Sequence, residues 1–172
     1  MALKRVSRRI KTAEKKGYEM KVLKAVEEVN EKQKSVLFNK LRDFYQGDLQ
    51  GRTIALWGLA FKPETDDMRE ATSLVTIKLL LEAGCKVRVY DPVAMNECKR
   101  RIGDVVIYAT DMYDAVLDAD ALLMLTEWKQ FRLPLWGVIM KNMKYPLVID
   151  GRNIYAVEEM KEQEIEYQCI GR

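Results

Sequence analysis

Residues 53–92 read TIALWGLAFKPETDDMREATSLVTIKLLLEAGCKVRVYDP. The run Thr53–Trp57 is apolar and has the length of a buried strand, and Lys86–Tyr90 predicts a second strand that ends before Asp91-Pro92. Between them, Ser73–Glu82 repeats leucine and isoleucine at helical spacing, which predicts a helix with one inward face. A strand, a helix and a second strand in this order predict a parallel strand pair joined by a crossover helix.

The same alternation of strand and helix continues to the end of the chain. The further predicted strands are Val105–Tyr108, Ala121–Leu125, Leu147–Ile149 and Ile165–Gln168. The further predicted helices are Val93–Arg101, Met112–Leu117, Leu133–Met140 and Val157–Gln163. Because the links between these segments are short, we predict an α/β domain over 51–172, with a Rossmann-like, doubly wound and mostly parallel sheet.

The segment before this domain is predicted to be helical. A short basic helix over 2–16 ends at Gly17, and a long helix follows over about 18–46. An apolar stripe runs along the long helix through Val22, Val26 and Val29. At ~1.5 Å per residue this helix would be about 43 Å long, as long as the body on which it could pack. We therefore predict that residues 1–50 form a dimerisation segment, the alternative being a helix that lies wholly on its own domain.

A long loop separates the first predicted strand from its helix. It contains about fifteen residues, where two to six are typical, and such long loops in compact domains are often functional. Ligands of open parallel sheets bind at the carboxyl ends of the strands, so we expect Lys62, Arg69 and Arg152 to converge on one edge. Lysine and arginine at that edge suit an anionic ligand that carries phosphate.

The same loop has a simpler interpretation. In that alternative it is a solvated loop whose charged residues pair with one another, namely Asp66, Asp67, Arg69 and Glu70. In both interpretations the loop ends at Thr72 and Ser73, which we expect to cap the following helix.

The composition excludes several kinds of site. The chain has no histidine, which removes Ser-His-Asp and Cys-His pairs and the commonest nitrogen ligand of zinc. Cys85, Cys98 and Cys169 lack C-x-x-C spacing, so we expect buried, inert thiols in a reducing, cytoplasmic setting, with no metal site and no catalytic residue. No apolar run approaches the ~18 residues that span a bilayer, so we expect no membrane partner.

The turn that usually holds a dinucleotide is also missing. The sequence contains no G-x-G-x-x-G, and Gly58 stands alone after the first predicted strand. We therefore expect no dinucleotide to bind tightly to this chain. Asp91, at the end of the second strand, could be a ribose-binding acid, but a simple Asp-Pro turn explains it better.

The net charge of +3 is unevenly distributed. Residues 1–24 contain nine basic and two acidic residues, which gives +7, whereas the remaining chain contains 20 basic and 24 acidic residues, which gives −4. A basic arm of this kind can bind nucleic acid. The stretch has no aromatic residue before Tyr18 and no recognised DNA-binding motif, so we do not expect a nucleic-acid partner.

Residues 58–70, GLAFKPETDDMRE, closely resemble the GLAFKPxTDDxRE signature of the UDP-glucose/GDP-mannose dehydrogenase family. Further matches follow in the order of that family, namely VYDP at 89–92, ADA at 119–121, TEW at 126–128 and DGRN at 150–153. GYEM at 17–20 and VEEVN at 26–30 resemble its central, dimer-forming helix. The resemblance covers about residues 10–170, and the TEW run favours the UDP-glucose branch.

The resemblance implies roles for four residues. Phe61 and Lys62 match the family's F-K pair that contacts the UDP-sugar, and Arg152 matches the arginine that reaches the substrate. Arg69 matches the arginine that reaches the NAD side of the cleft. One departure is Ala71-Thr72-Ser73, where the family usually has S-P-S after R-E.

The resemblance also implies what this chain lacks. Family members bind NAD through an N-terminal domain, oxidise the sugar C6 alcohol to a carboxylate in two steps, and use a cysteine in a G-G-S-C-F-P-K-D context. This chain contains no such motif. We therefore expect a homodimeric fragment that binds a UDP-sugar but is inactive alone. The alternatives are a standalone nucleotide-sugar-binding module, a dimeric scaffold, or a fragment of a UDP-N-acetylmannosamine or GDP-mannose dehydrogenase.

Overall fold

The computed structural model describes residues 21–171. The predicted basic helix over 2–16, Gly17 and the predicted start of the long helix lie outside the described residues. The chain divides after Val36 into two compact units. The first unit contains α1 (Lys21–Lys34), and the second contains the sheet and nearly all of α2 (Val36–Phe44).

The described part of the region predicted as one long helix thus forms two helices, which are separated at Ser35. The backbone N–H of Ser35 donates to the Lys32 carbonyl at 3.3 Å, an i−3 contact, and the Ser35 hydroxyl donates to the same carbonyl at 3.0 Å. A serine side chain that competes for a helical carbonyl in this way locally disturbs the i−4 pattern. The second helix ends at Phe44 rather than near residue 46.

Six strands alternate with helices in the second unit. The strands are β1 (Thr53–Trp57), β2 (Lys86–Tyr90), β3 (Ile107–Tyr108), β4 (Ala121–Met124), β5 (Leu147–Asp150) and β6 (Glu166–Cys169). The helices are α3 (Thr72–Glu82), α4 (Met95–Ile102), α5 (Met112–Ala115), α6 (Trp136–Asn142) and α7 (Val157–Glu162), with a 3₁₀ turn over Lys129–Phe131.

The sheet order is β3-β2-β1-β4-β5-β6, and every pair of neighbouring strands is parallel. This is the order of a doubly wound Rossmann-like sheet, so the predicted α/β class is confirmed. The winding reverses between β1 and β4, which pair through Ile54–Ala121 and Trp57–Met124. This reversal is the point at which such sheets open a crevice for ligands.

The helices cover both faces of the sheet because alternate residues of each strand point to opposite sides. In β1, Ile54 and Leu56 enter the core beneath α2, α3 and α4, whereas Ala55 and Trp57 enter the core beneath α5, α6 and α7. Leu37 of α2 is buried in the first of these cores. The compact unit therefore begins at Leu37, before the domain boundary that we predicted between residues 50 and 51.

Candidate functional site

Asp91 directly follows β2 and joins the loops at the carboxyl edge of the sheet by hydrogen bonds. The residue is 1% exposed. Its Oδ2 atom accepts hydrogen bonds from the backbone N–H groups of Leu59 (2.7 Å) and Ala60 (3.2 Å) and from the indole N–H of Trp128 (3.1 Å). Its Oδ1 atom accepts from two further N–H groups, those of Val93 (2.9 Å) and Ala94 (2.8 Å). The carboxylate therefore stabilises its own turn and joins the loops that follow β1 and β4.

Asp150 plays the same part at the end of β5, where it is fully buried. Its Oδ1 atom accepts from the backbone N–H groups of Arg152 (2.7 Å) and Asn153 (2.9 Å). Its Oδ2 atom accepts from three further groups, the N–H of Ile154 (2.7 Å), the N–H of Tyr155 (3.4 Å) and the hydroxyl of Tyr167 (2.9 Å). The backbone that carries Arg152 is therefore fixed by a buried carboxylate.

Gly58 brings the loops after β1 and β4 into direct contact. Its φ of +87° lies in the left-handed region, and a Cβ at this position would lie 2.5 Å from the Cβ of Thr126. The Thr126 hydroxyl donates to the Ala60 carbonyl at 2.6 Å, and the Leu125 N–H donates to the Trp57 carbonyl at 2.9 Å. The loops after β1 and β4 are therefore packed closely together at the point where the winding reverses.

The start of α3 differs from the prediction. Ala71 is the N-cap residue and makes no side-chain capping bond, so the expected caps Thr72 and Ser73 are wrong. Both residues lie inside the first turn of the helix, and the Ser73 hydroxyl instead donates to the Leu59 carbonyl at 2.5 Å. This bond ties the end of the long loop to its beginning.

Phe61 and Lys62 lie on that loop, on its solvent side. The Phe61 N–H donates to the Asp67 carbonyl at 2.9 Å, which folds the loop back on itself, while the Phe61 side chain remains 42% exposed. Lys62 is exposed, and its side chain forms no hydrogen bond or ion pair with any residue in 21–171. Both side chains are therefore available to a ligand.

Arg69 is paired within its own loop. Its Nε and Nη2 atoms donate to Oδ1 and Oδ2 of Asp67 at 2.9 and 2.8 Å. Hydrogen bonds from Arg69 hold the pKa of the Asp67 carboxyl well below its usual range. This is the pairing of charged residues that we expect if the loop is only a solvated surface loop. Asp67 accepts from two of the five N–H donors of the Arg69 guanidinium.

Arg152 follows β5 and is paired across the edge. Its Nε donates to Oε2 of Glu127 at 2.5 Å, and both side chains are about one-third exposed, at 33% and 34%. Within the described part of the chain, no hydrogen bond or ion pair joins any two of Phe61, Lys62, Arg69 and Arg152. All four lie on loops at the same edge of the sheet, because the carboxyl ends of parallel strands meet there.

The loop 126–129 organises this edge of the sheet, whereas the sequence analysis used its TEW run only as a family match. Each of its four residues contacts a different partner at the edge. These contacts are Thr126 with Ala60, Glu127 with Arg152, Trp128 with Asp91, and Lys129 with Glu64. The signal in the sequence was its position directly after β4, at the reversal point of the sheet.

A cleft of about 600 Å³ opens beside this loop. Pro63, Pro92 and Trp128 give it apolar walls, and Glu127 lies at its border with Arg152. None of Phe61, Lys62, Arg69 and Arg152 lines it. This cleft is therefore not formed by the predicted binding residues.

The backbone N–H groups at the end of β1 already have an acceptor. The N–H groups after β1 that would face the pyrophosphate of a dinucleotide are those of Leu59 and Ala60, and both donate to Asp91. The close approach of Gly58 to Thr126 takes up the space that a glycine-rich turn would leave open.

The cysteines lie in the interior of the fold. Cys85, Cys98 and Cys169 are free and buried. Burial raises the pKa of Cys85 to about 11 and also raises the pKa of Cys98, so their thiolates are scarce at neutral pH. Among residues 21–171 there is no group of three or more acidic, cysteine or histidine residues arranged around a metal position. No helix in the described range has the length and apolarity needed to cross a membrane.

Comparison with known proteins gives a consistent result. The sequence model of the UDP-glucose/GDP-mannose dehydrogenase family, UDP binding domain, matches residues 55–157. The UDP-glucose 6-dehydrogenase of Pseudomonas aeruginosa is 49% identical over 168 residues, which covers 95% of this chain and 37% of that protein. UDP-glucose 6-dehydrogenase TuaD of Bacillus subtilis is 40% identical over 163 residues, which covers 95% of this chain and 35% of that protein. The chain thus spans 35–37% of the length of these relatives.

Solved structures give the same result for the fold. A UDP-glucose dehydrogenase from the hyperthermophilic archaeon Pyrobaculum islandicum matches with a TM-score of 0.78 and 34% identity, covering 92% of this chain and 34% of that chain. The UDP-N-acetyl-mannosamine dehydrogenase Cap5O of S. aureus matches with a TM-score of 0.67 and 23% identity, covering 88% of this chain and 34% of that chain. At that lower identity the likeness concerns the fold alone.

Proposed function

Because this chain belongs to the UDP-glucose/GDP-mannose dehydrogenase family, we propose that it supplies the UDP-sugar-binding part of a UDP-glucose 6-dehydrogenase. In this proposal it binds and orients the nucleotide sugar and joins two chains into a dimer. The oxidation itself depends on protein outside this chain. The chain alone is inactive, since it has neither an activated thiol nor the family's cysteine motif.

The observation that carries the proposal is a set of exposed side chains on fixed backbones. Phe61, Lys62 and Arg152 point away from the core, while buried carboxylates hold the turns beneath them. A site whose backbone is already ordered loses less freedom when a ligand binds. Lys62 and Arg152 supply the positive charge for the diphosphate, and Phe61 supplies an apolar surface for the sugar nucleotide.

NAD belongs to this family's reaction, in which it accepts hydride, and we propose that it is bound mainly by the N-terminal part of the enzyme. The turn after β1 in this chain is filled by Asp91, which leaves the pyrophosphate no free N–H groups there. Arg69 contributes at the NAD side of the cleft through the donors that Asp67 does not use. We expect no tight binding of NAD to this chain alone.

The helix α1 favours the second part of the proposal, the dimer. Its Val22, Val26 and Val29 follow one another at spacings of four and three residues and are 76%, 43% and 56% exposed. A second copy that packs on this stripe would bury it. Light scattering should give twice the mass of one chain, and Val26→Lys should give a monomer. A wild-type monomer at tens of micromolar would refute the dimer.

Calorimetric titration with UDP, UDP-glucose and GDP tests the binding proposal. We expect both uridine nucleotides to bind in preference to GDP, and Arg152→Ala to weaken UDP binding by at least about tenfold. Arg100→Ala removes the same charge from the exposed surface of α4 and should leave binding unchanged. If UDP does not bind to the wild-type chain, the dimeric-scaffold alternative is supported. If GDP or another sugar nucleotide binds better, the chain belongs to a related branch.

A further inference from the structure

The position of Arg152 is fixed up to its Cα atom. Its backbone N–H donates to the buried Asp150 carboxylate, and the N–H of Gly151 donates to the Met124 carbonyl at 3.0 Å. A Cβ on Gly151 would lie 2.8 Å from the same carbonyl oxygen. What remains to be set is the direction of the long Arg152 side chain, which has several rotatable bonds.

Glu127 sets that direction through one donor only. A guanidinium has five N–H donors, and Glu127 accepts from Nε, the donor nearest the aliphatic stem. Within residues 21–171 the Nη1 and Nη2 atoms of Arg152 form no hydrogen bond. Arg69 differs, because Asp67 takes both its Nε and one of its terminal nitrogens.

Glu127 is itself held by its neighbours in the loop. The Thr126 hydroxyl donates to Ala60, and the Trp128 indole donates to Asp91. The ion pair between Glu127 and Arg152 is about one-third exposed to solvent, and ion pairs exposed in this way add little to the stability of a fold. The value of the contact is therefore geometric, since it orients the planar end of the arginine before a ligand arrives.

We propose that Glu127 is a positioning residue, which orients Arg152 so that its two terminal nitrogens face the diphosphate of the nucleotide sugar. This inference rests on the proposed function and assigns a residue that acts through Arg152 without touching the ligand. The acidic side chain lowers the positive charge of the site, and in return the arginine loses less freedom on binding.

A double-mutant cycle on the full chain tests the proposal, with UDP as the titrated ligand. Glu127→Ala should weaken UDP binding about fivefold, because Arg152 must then be ordered by the ligand. Glu127→Gln keeps an oxygen that accepts from Nε and should bind UDP as tightly as the wild type, or more tightly. Added to Arg152→Ala, the Glu127→Ala change should have no further effect. Glu97→Ala, which removes an acidic partner from Arg100 on α4, is the matched control and should not alter binding.

Several outcomes would overturn the proposal. Tighter UDP binding by Glu127→Ala would mean that the glutamate competes with the ligand for Arg152. An equal loss in the wild-type and Arg152→Ala backgrounds would mean that Glu127 supports the loop in general. A loss in Glu127→Gln as large as in Glu127→Ala would mean that charge, and not orientation, is what matters.

A measurement without ligand separates this proposal from the proposed function. In ¹H–¹⁵N spectra, the Arg152 Nε–H signal, assigned by its loss in Arg152→Lys, should exchange slowly with water and should broaden in Glu127→Ala. If UDP does not bind but this signal behaves as expected, the proposed function fails and the orientation of Arg152 stands. If the signal exchanges equally fast in both proteins, Glu127 does not position Arg152.

Discussion

The buried aspartates and the exposed binding residues occupy the same edge of the sheet but are held in opposite ways. We call Asp91 and Asp150 the floor of the edge, and Phe61, Lys62, Arg69 and Arg152 its rim. Each floor carboxylate is at most 1% exposed and accepts five hydrogen bonds from its surroundings. Among residues 21–171, each rim cation has at most one acidic partner, and that partner is partly exposed.

The difference separates two physical tasks. A buried carboxylate that satisfies several backbone N–H groups specifies the shape of the loops, since its loss leaves donors without partners. An exposed cation contributes little to stability and keeps its donors for a ligand. The floor therefore determines where the rim lies, and in the proposed function the rim supplies the contacts to the ligand.

Removal of a floor carboxylate should have the largest effect. Asp91→Ala leaves five donors without their acceptor, and we expect the free energy of unfolding to fall by about 3–5 kcal/mol. Urea denaturation followed by tryptophan fluorescence measures this change. Asp66→Ala removes the same charge from an exposed position and should change stability by less than about 0.5 kcal/mol. Equal stabilities of the two variants would contradict the role of the floor.

The contact between the β1 and β4 loops gives the next largest effect. Gly58→Ala places a side chain at φ +87° and 2.5 Å from Thr126, so we expect a loss of about 2–4 kcal/mol in unfolding free energy. Gly137→Ala lies in α6 with nothing within 4 Å of the added Cβ and should be neutral or stabilising by less than about 1 kcal/mol. A fully stable Gly58→Ala protein would mean that the two loops separate easily.

Alkaline pH should weaken the floor at Asp150. Burial, with a further contribution from Asp150, raises the pKa of Tyr155 and Tyr167 well above 10. Because the folded pKa exceeds the unfolded pKa, this stabilisation is complete below pH 10 and is lost as the pH rises further. For the buried Tyr155 the loss is about 1.4 kcal/mol per pH unit, and partly exposed Tyr167 adds less. Urea midpoints at pH 8, 10 and 11 measure it, and a constant midpoint would refute it.

The indole of Trp128 connects the floor to the loop after β4, and its loss should have a smaller effect. Trp128→Phe keeps an aromatic ring but removes the donor to Asp91, so we expect a loss of about 1 kcal/mol in unfolding free energy. Trp136→Phe is a matched control, because Trp136 is equally buried but its indole nitrogen forms no hydrogen bond to the described residues. Equal losses in both variants would assign the effect to packing.

The smallest effect on stability is expected at the rim. Lys62→Ala should change the free energy of unfolding by less than about 0.5 kcal/mol, because its side chain is exposed and has no partner in the described range. The same variant should weaken UDP binding in calorimetry. A large loss of stability would mean that Lys62 supports the fold and is not only an exposed rim residue.

Most of the architecture could be predicted, because the spacing of apolar residues and the lengths of the apolar runs indicate which segments are helices and which are strands. Lys86–Tyr90 is a strand with the predicted bounds, and the alternation of elements led directly to the parallel sheet. The ends of elements were less predictable, as at α3, where a buried bond from Ser73 to Leu59 outweighs the local preference for a capping side chain.

The place of the rim at this edge was predictable, but its contacts were not. Charged residues after parallel strands can be read from the chain, and the motifs around Lys62 and Arg152 suggest roles that remain predictions. The floor was not predictable in the same way. Asp91 also accepts hydrogen bonds from the loops after β1 and β4, and Asp150 also accepts one from the Tyr167 hydroxyl on β6, and these contacts exist only in the folded chain. Glu127 was missed for the same reason, since only the folded edge brings it to Arg152.

The contact between Gly58 and Thr126 has a consequence for protein engineering. Grafting a glycine-rich turn onto the end of β1 is an obvious way to give such a sheet a cofactor of its own. In this chain the backbone N–H groups of Leu59 and Ala60, which such a turn would offer to the cofactor, already donate to Asp91. The backbone of Thr126 in the loop after β4 also lies where the grafted turn would be placed. A redesign must therefore replace Asp91 and rebuild residues 126–129 first, because added glycines alone would meet an edge that is already complete.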